Sequence, residues 1–142
     1  MSHGRPIRVL LVDDHAVVRE GYRRLLEREP TLEVVGEAAD ALQACALLAS
    51  ESPDIVILDV SLGTSSGLEL LPQLLAVRPA ARVIVFSMHE EAIFATRALR
   101  AGAQGYVTKS SDPQELVQAV RDVAAGKRHL GRDIAQALAL AS

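Results

Sequence analysis

A chain of 142 residues with 49% hydrophobic and 23% charged side chains suits one folded domain with its own core, and this composition excludes a disordered chain. Its net charge of −3 argues against a nucleic-acid surface on this domain, and its single cysteine excludes an internal disulfide. No apolar stretch approaches the roughly 20 residues that span a bilayer, and residues 1–6 lack the apolar segment of a secretory signal, so we expect a cytoplasmic protein with no membrane partner.

Strand-like segments and helical patterns alternate five times along the chain. The predicted strands cover residues 7–12, 32–36, 54–59, 82–87 and 105–109. The first helical pattern ends at Pro30, Asp40 is a plausible N-cap for the second, and Asp112-Pro113 opens the fifth. This alternation predicts an α/β fold with a doubly wound parallel sheet and helices on both faces. We expect five strands in the order 2-1-3-4-5.

Helical spacing predicts which residues face the core. The predicted buried positions are Val18, Tyr22, Leu25 and Leu26 in the first helix, Leu42, Cys45 and Leu48 or Ala49 in the second, and Ile93, Thr96 and Leu99 or Ala98 in the fourth. Cys45 is therefore expected to pack as core and not to act as a nucleophile. Pro72 lies inside the third helical pattern and predicts a late start or a kink.

Polar side chains stand where several predicted strands end. Asp13 and Asp14 follow the first strand, Asp59 ends the third, Ser87 ends the fourth and Lys109 ends the fifth. In the expected order the first and third strands are neighbours, so the carboxylates converge at one cleft. Taken singly, each residue is more often a strand-end cap or a solvated surface charge.

Converging carboxylates repel one another, which requires a bound cation, raised pKa values, or both. A ligand set of oxygens without His or Cys favours Mg²⁺ over Ca²⁺ and makes zinc a poor fit. A metal, the ammonium of Lys109 and the hydroxyl of Ser87 around one carboxylate are suited to stabilising a transferring phosphoryl group. Asp59 is the predicted nucleophile and would form an acyl phosphate.

Four segments also resemble the motifs of a known family in order and spacing. They are Leu11-Val12-Asp13-Asp14-His15, Ile57-Leu58-Asp59-Val60, Phe86-Ser87-Met88-His89 and Gly105-Tyr106-Val107-Thr108-Lys109. The chain resembles the receiver domain of a bacterial two-component response regulator over residues 7–128, which implies a flavodoxin/CheY-like fold. Ser87-Met88-His89 and residues 124–130 are similar to the NarL/FixJ-like subgroup, whose receivers precede a helix-turn-helix DNA-binding domain.

The resemblance implies a role for each matching residue. Asp59 would accept a phosphoryl group from a sensor histidine kinase, while Asp13 or Asp14, with Asp59 and the backbone carbonyl of Ser61, would hold Mg²⁺. Lys109 would contact the phosphoryl oxygens, and Ser87 would turn toward them and draw Tyr106 inward. Ser61 and His89 occupy positions that tune the lifetime of the acyl phosphate. The chain would then be a signalling switch and not a turnover enzyme, and phosphorylation would promote a homodimer through the fourth helix and fifth strand or their neighbours.

Some positions depart from the family pattern. Residues 62–64 read Leu-Gly-Thr where the family usually has Met-Pro-Gly, which leaves the geometry of that loop and the rate of autodephosphorylation open. Ser110 replaces the common proline after Lys109, so a cis peptide bond is less expected there. Met88 is bulkier than the usual small residue and would narrow access. His15 is expected to start a helix near water and not to bind metal.

The expected domain organisation is an N-terminal extension at 1–6, a receiver domain at 7–128, and an interdomain linker or the start of a linker helix at 129–142. An effector domain needs on the order of 60 further residues. We therefore expect that the chain was cut at the linker, and a stand-alone receiver is the alternative.

Other function classes fit the residues less well. A metal-dependent phosphatase with an aspartyl intermediate would want a second carboxylate two residues after the nucleophile, and that position is Ser61. A pseudo-receiver, which keeps the fold without phosphorylation, is disfavoured by the intact Asp13-Asp14 pair, Ser87 and Lys109. A nucleotide-binding flavodoxin-like domain would want a glycine-rich loop after the first strand.

Overall fold

Strands and helices alternate along a computed structural model of the chain, which describes residues 5–60 and 66–141. The strands are β1 (Ile7–Val12), β2 (Leu32–Ala38), β3 (Ile55–Val60), β4 (Arg82–Ser87), β5 (Gly105–Thr108) and β6 (His129–Leu130). The helices are α1 (Ala16–Glu27), α2 (Ala41–Glu51), α3 (Ser66–Val77), α4 (Ala92–Arg100), α5 (Pro113–Ala124) and α6 (Arg132–Ala141). No helix among the described residues is both long enough and apolar enough to cross a lipid bilayer.

The strands form a parallel sheet in the order β2-β1-β3-β4-β5-β6, so the predicted doubly wound order is confirmed and the predicted strand number is wrong. Within the described ranges the sheet has six strands and not five. The additional strand, β6, pairs Gly105 with His129 and Tyr106 with Leu130. A strand of only two residues is too short to show an alternating pattern in the sequence.

The described residues pack in two hydrophobic clusters, one on each face of the sheet. Val9, Ile55 and Ile57 face one cluster with α1 and α5, whereas the intervening strand residues face the other cluster with α2, α3 and α4. Successive strand residues alternate between the two faces of the sheet. Leu58 and Val60 lie in the cluster with α2, α3 and α4, so Asp59 between them points to the face of α1 and α5.

The predicted buried faces of two helices need correction. In α2, Leu42 is 82% exposed, and the fully buried residues are Ala44 and Leu48. In α4, Ile93 is 55% exposed and Ala95 is buried instead, whereas Ala98, one of the two alternatives predicted, is buried as expected. In α1, Leu25 and Leu26 are buried as predicted, but Val18 is exposed. Alanine lets a helix approach the sheet closely, and the spacing of large side chains cannot register that choice. Cys45 packs partly buried against the core, as predicted.

The two predicted helix N-caps, Asp40 and Asp112, are confirmed. Asp40 Oδ1 accepts a hydrogen bond from the backbone N–H of Gln43 at 2.8 Å, and Asp112 Oδ1 accepts one from Gln114 at 2.8 Å. Both are N-caps, as expected from the sequence. Of the two alternatives expected for α3, the late start is wrong, because this helix begins at Ser66 and contains Pro72 in its interior, and the kink stays a prediction.

The C-terminal segment packs on the domain. The backbone N–H of Gly131 donates to Tyr106 O at 3.2 Å, and α6 then buries Ile134 completely in the cluster that contains Ala95 and Ala98 of α4. His129 lies between two carboxylates of α5, with Nδ1 2.9 Å from Asp122 Oδ2 and Nε2 3.2 Å from Glu115 Oε2. The hydrogen bond from His129 lowers the pKa of the Asp122 carboxyl. Because Ile134 is buried against α4, part of the α4 surface is covered by α6.

Candidate functional site

The candidate site lies where parallel strands end at one edge of the sheet. Register pairs Val12 with Leu58, so the residues that follow, Asp13 and Asp59, are neighbours across β1 and β3. Register also pairs Ser87 with Thr108, and the backbone N–H of Lys109 donates to Ser87 O at 2.7 Å. The structure therefore brings Asp13, Asp59, Ser87 and Lys109 to the same edge.

Asp59 forms the centre of this group. Its side chain is 3% exposed, and Lys109 Nζ lies 2.6 Å from Asp59 Oδ1. Apart from that ion pair, neither of its buried oxygens has a hydrogen-bond partner in the described part of the chain. Buried polar atoms are nearly always paired, so an oxygen left without a partner marks a position where a ligand or ion can bind.

Burial raises the pKa of the Asp59 carboxyl from 3.8 to about 6, and neighbouring Asp13 adds to the rise, while Lys109 opposes it. Removal of a carboxylate from water disfavours its charged form, and a second carboxylate nearby acts in the same direction. At neutral pH the group is still mainly ionised, which is the state that a nucleophile requires.

Asp13 and Asp14 differ in their surroundings. Asp13 is buried, and its Oδ1 accepts a hydrogen bond from the backbone N–H of His15 at 2.8 Å. Asp14 is exposed, and its Oδ1 lies 2.8 Å from His15 Nδ1. His15 Nδ1 is also 3.2 Å from Asp13 Oδ1, so the three consecutive residues bring possible ligand atoms within 4.8 Å of one another. His15 lies at the N-cap position of α1 with its side chain exposed, so the expectation that it starts a helix near water is confirmed, and the expectation that it does not bind metal stays a prediction.

A hard cation fits the oxygens that meet here. Asp13 and Asp59 offer buried carboxylate oxygens, and Asp14 offers an exposed one. Asp59 Oδ2 has no hydrogen-bond partner among the residues that the structure describes. Carboxylates supplemented by water suit the octahedral preference of Mg²⁺. The predicted ligand Ser61 and the departures at Leu62, Gly63 and Thr64 lie outside the described residues.

Ser87 and Tyr106 are both linked to His89. Ser87 Oγ is buried and accepts a hydrogen bond from the backbone N–H of His89 at 3.0 Å. The Tyr106 hydroxyl donates to His89 O at 2.9 Å, and its ring is almost fully buried, which raises the pKa of that hydroxyl. Tyr106 already points inward in this structure, the position that the sequence prediction reserved for the phosphorylated form.

The remaining predicted positions lie around this network. The His89 ring stacks on Phe94 with centroids 3.9 Å apart, and Met88 is exposed. No cis peptide bond occurs in residues 5–60 or 66–141, so the bond between Lys109 and Ser110 is trans. Ser110 Oγ donates to Glu90 Oε2 at 2.6 Å, which joins the loop after β5 to the loop after β4.

Sequence reasoning also missed an arginine beside the acidic pair. Arg19 of α1 donates from NH1 to the backbone carbonyl of Asp13 and from Nε to Glu37 Oε1, the latter at 2.8 Å. These contacts fix the chain at the point where Asp13 leaves β1. The helical pattern placed Arg19 opposite the core, and nothing in its spacing distinguished it from the other arginines of α1.

This fold and this acidic edge define the receiver class of two-component signalling domains. Residues 9–121 match the family model described as the response regulator receiver domain, and the chain belongs to that family. Receiver domains of this family are signalling switches that bind Mg²⁺ at an acidic pocket, and the sheet and helices are the flavodoxin/CheY-like fold.

Among curated proteins, the chain is 46% identical over 137 residues to the response regulator GacA of Pseudomonas aeruginosa, covering 96% of this chain and 64% of that protein. It is 37% identical over 141 residues to the nitrate/nitrite response regulator protein NarL of Escherichia coli, covering 98% of this chain and 64% of that one. A solved structure of a LuxR-family two-component response regulator from Aurantimonas superposes with a TM-score of 0.90 at 50% identity, covering 96% and 97% of the two chains. The chain thus spans less than two thirds of the length of these curated relatives.

Proposed function

We propose that Asp59 accepts a phosphoryl group from a sensor histidine kinase, and that the resulting change of conformation controls a DNA-binding segment outside the present chain. The observation that carries this proposal is the buried carboxylate of Asp59, which faces Lys109 at 2.6 Å and has an oxygen without a hydrogen-bond partner among residues 5–60 and 66–141. The neighbouring Asp13 and exposed Asp14 complete the set of acids that such a site requires.

In the transfer step, an Asp59 carboxylate oxygen attacks the phosphorus of a phosphohistidine. The new P–O bond forms as the P–N bond breaks, and the electron pair of that bond stays on the imidazole nitrogen, which takes up a proton. Asp59 becomes an acyl phosphate. Lys109 is placed to contact the phosphoryl oxygens as charge accumulates on them, because its ammonium already lies against the nucleophile.

Asp13, Asp14 and Asp59 would hold Mg²⁺, with the backbone carbonyl of Ser61 as a further ligand. When bound, Mg²⁺ supplies positive charge that offsets the repulsion among the carboxylates and the incoming phosphoryl group. The residues themselves bind and orient: Asp13 is fixed by the N–H of His15, and Asp59 is fixed by Lys109.

The switch would begin at Ser87. A phosphoryl group on Asp59 adds acceptor oxygens, and turning Ser87 Oγ toward them would break its hydrogen bond with the His89 N–H. Tyr106 holds the carbonyl of the same residue, so a change at His89 would be felt through both contacts. We assign Ser61 and His89 to tuning the lifetime of the acyl phosphate, since each stands two residues beyond a reacting position.

The proposed control of a DNA-binding domain rests on the family and on the greater length of the curated relatives. Residues 7–128 would act as the receiver and residues 129–142 as the link to a helix-turn-helix domain. Phosphorylation would promote a homodimer, in which the part of α4 that α6 leaves exposed, including Ile93, is available for contact. The reaction is self-catalysed transfer and hydrolysis in the cytoplasm, which serves regulation and not turnover.

The test is incubation of the chain with acetyl phosphate and Mg²⁺, followed by intact-mass measurement. We expect one phosphoryl addition in the parent chain and none in Asp59→Asn or without Mg²⁺. Asp40→Asn is the matched control, because asparagine still caps α2 and the same change of charge is made away from the site. An unmodified parent chain, or an Asp59→Asn variant that still gains the mass, would refute the proposal.

A further inference from the structure

The ammonium of Lys109 has an aromatic neighbour as well as an acidic one. Its Nζ lies 5.6 Å from the centroid of the Phe86 ring, over the ring, and 2.6 Å from Asp59 Oδ1. A cation within about 6 Å of an aromatic face is attracted by the ring quadrupole, and this attraction strengthens as water is excluded. The Lys109 side chain is 19% exposed, so the contact is largely shielded from solvent.

The sheet places Phe86 beside Asp59 directly. The two residues are register partners in β3 and β4, so their side chains stand next to each other on the same face of the sheet. Phe86 is buried in the cluster that packs against α1 and α5. Because it is held by close packing, its ring offers Lys109 a fixed surface.

Tyr22 of α1 supports this ring from the side. The Tyr22 and Phe86 centroids are 4.7 Å apart with an interplanar angle of 86°, the edge-to-face arrangement that aromatic pairs favour. The Tyr22 ring also packs against the same hydrophobic cluster. The pair therefore joins α1 to β4 beneath the lysine.

The aromatic face can hold the Lys109 ammonium in place when the charge on Asp59 changes, which the ion pair alone cannot do. The charge on Asp59 is redistributed when the carboxylate becomes an acyl phosphate, whereas the attraction of the Phe86 ring for the ammonium stays the same. We propose that Phe86, braced by Tyr22, is a positioning residue that holds the Lys109 ammonium at the position where it meets the phosphoryl oxygens. This inference rests on the proposed function and goes beyond it by naming the group that orients the lysine.

The first measurement needs no phosphorylation. The chain has two lysines, Lys109 and Lys127, so lysine-selective isotope labelling gives two sets of side-chain NMR signals, and exposed Lys127 serves as the internal reference. We expect the Lys109 Cε protons to be displaced upfield by the Phe86 ring current. The displacement should disappear in Phe86→Leu and persist in Phe86→Tyr. Identical Lys109 signals in Phe86→Leu and in the parent would overturn the proposal.

The second measurement is the initial rate of phosphoryl addition from acetyl phosphate with Mg²⁺. Loss of a shielded cation–π contact should slow Phe86→Leu by about threefold to tenfold. Phe86→Tyr should react like the parent. Ile84→Ala is the matched control, because Ile84 lies on the same strand in the same cluster and pairs with Gly105, away from the ion pair. A Phe86→Leu rate equal to that of Ile84→Ala would overturn the positioning role.

These two measurements separate the failure of this inference from the failure of the proposed function. A parent chain that takes up no phosphoryl group would refute the function, while the lysine signals would still report whether the ring holds the ammonium. If Phe86→Leu does not fold, Phe86→Met, which also removes the ring at similar volume, replaces it with the same expected directions, and unchanged lysine signals and rate in that variant would overturn the proposal.

Discussion

Charged side chains line both edges of the sheet, and among the described residues the two edges hold their charges in different ways. At the amino-end edge, Arg8 donates to Glu51 O at 2.6 Å, Arg78 donates to Pro53 O at 3.1 Å, and Arg82 donates to Val123 O at 2.7 Å and to Ala124 O at 3.1 Å. At the carboxyl-end edge, Asp59 has Lys109 on one oxygen and no described partner on the other.

The difference separates structural charge from functional charge. The arginines of the amino-end edge donate hydrogen bonds to backbone carbonyls, and these bonds connect neighbouring segments of the fold. The acids of the carboxyl-end edge are packed together at the cost of mutual repulsion, which Lys109 relieves in part and which a bound cation would relieve further. The same sheet therefore has a fixed edge and a reactive edge, and substitutions at the two edges should have different consequences.

The largest effect is expected from removing the ammonium that pairs with Asp59 at the reactive edge. Lys109→Gln should slow phosphoryl addition from acetyl phosphate by about 100-fold or more, because a group aimed at developing phosphoryl charge is lost. The fold should be retained. The measurement is the initial rate by intact mass, with Lys127→Gln as the control at the exposed lysine. A Lys109→Gln rate within about threefold of the parent rate would contradict this account.

A pH-dependent effect on stability should follow from the same edge. The folded-state pKa of Asp59, about 6, lies above its ordinary value of 3.8, so folding favours the protonated acid. The resulting stability is complete below about pH 4 and is lost as the pH rises through about 6, a change on the order of 3 kcal/mol.

Urea unfolding without Mg²⁺ measures this loss. Over that pH range the parent chain should lose stability relative to Asp59→Asn, which has no titrating group at this position. Parallel curves for the two proteins between pH 4 and pH 7 would show that Asp59 is not held at a raised pKa.

A smaller effect is expected at the fixed edge. Arg82→Gln removes the guanidinium that joins β4 to the end of α5, and should lower the free energy of unfolding by about 1.5 kcal/mol. The rate of phosphoryl addition should stay at the parent value, because Arg82 begins the strand that Ser87 ends. Urea unfolding and intact-mass kinetics on the same sample give both numbers. A large fall in rate with unchanged stability would reverse the assignment of the two edges.

The reactive edge was largely predictable because it depends on topology. Once strands and helices alternate, parallel strands end at one edge, and the acids after β1 and at the end of β3 are neighbours when the strand order is 2-1-3-4-5, which the structure confirms. Alternation alone leaves more than one order of the strands open, so this order was an added expectation. Given that order, a prediction of this kind needs only the position of each polar residue at a strand end.

What failed depends on packing that sequence spacing does not record. The strand β6 has two residues and is held by backbone hydrogen bonds to β5, and α2 and α4 turn alanines to the core in place of Leu42 and Ile93. The inward position of Tyr106 rests on a backbone carbonyl, that of His89, which no side-chain motif reveals. The sequence indicated only that Phe86 belongs to a strand. Its position beside Asp59 depends on the register of β3 and β4, which the sequence does not show.

The most direct test of the central claim is the position of the phosphorylated residue. Borohydride cleaves an acyl phosphate and reduces the aspartyl carbon to an alcohol, so the modified aspartate becomes homoserine, which peptide mass spectrometry locates. After treatment with acetyl phosphate and Mg²⁺, we predict homoserine at position 59. Homoserine at position 13, 14 or 54, or at no position in a chain that has gained phosphoryl mass, would contradict the account.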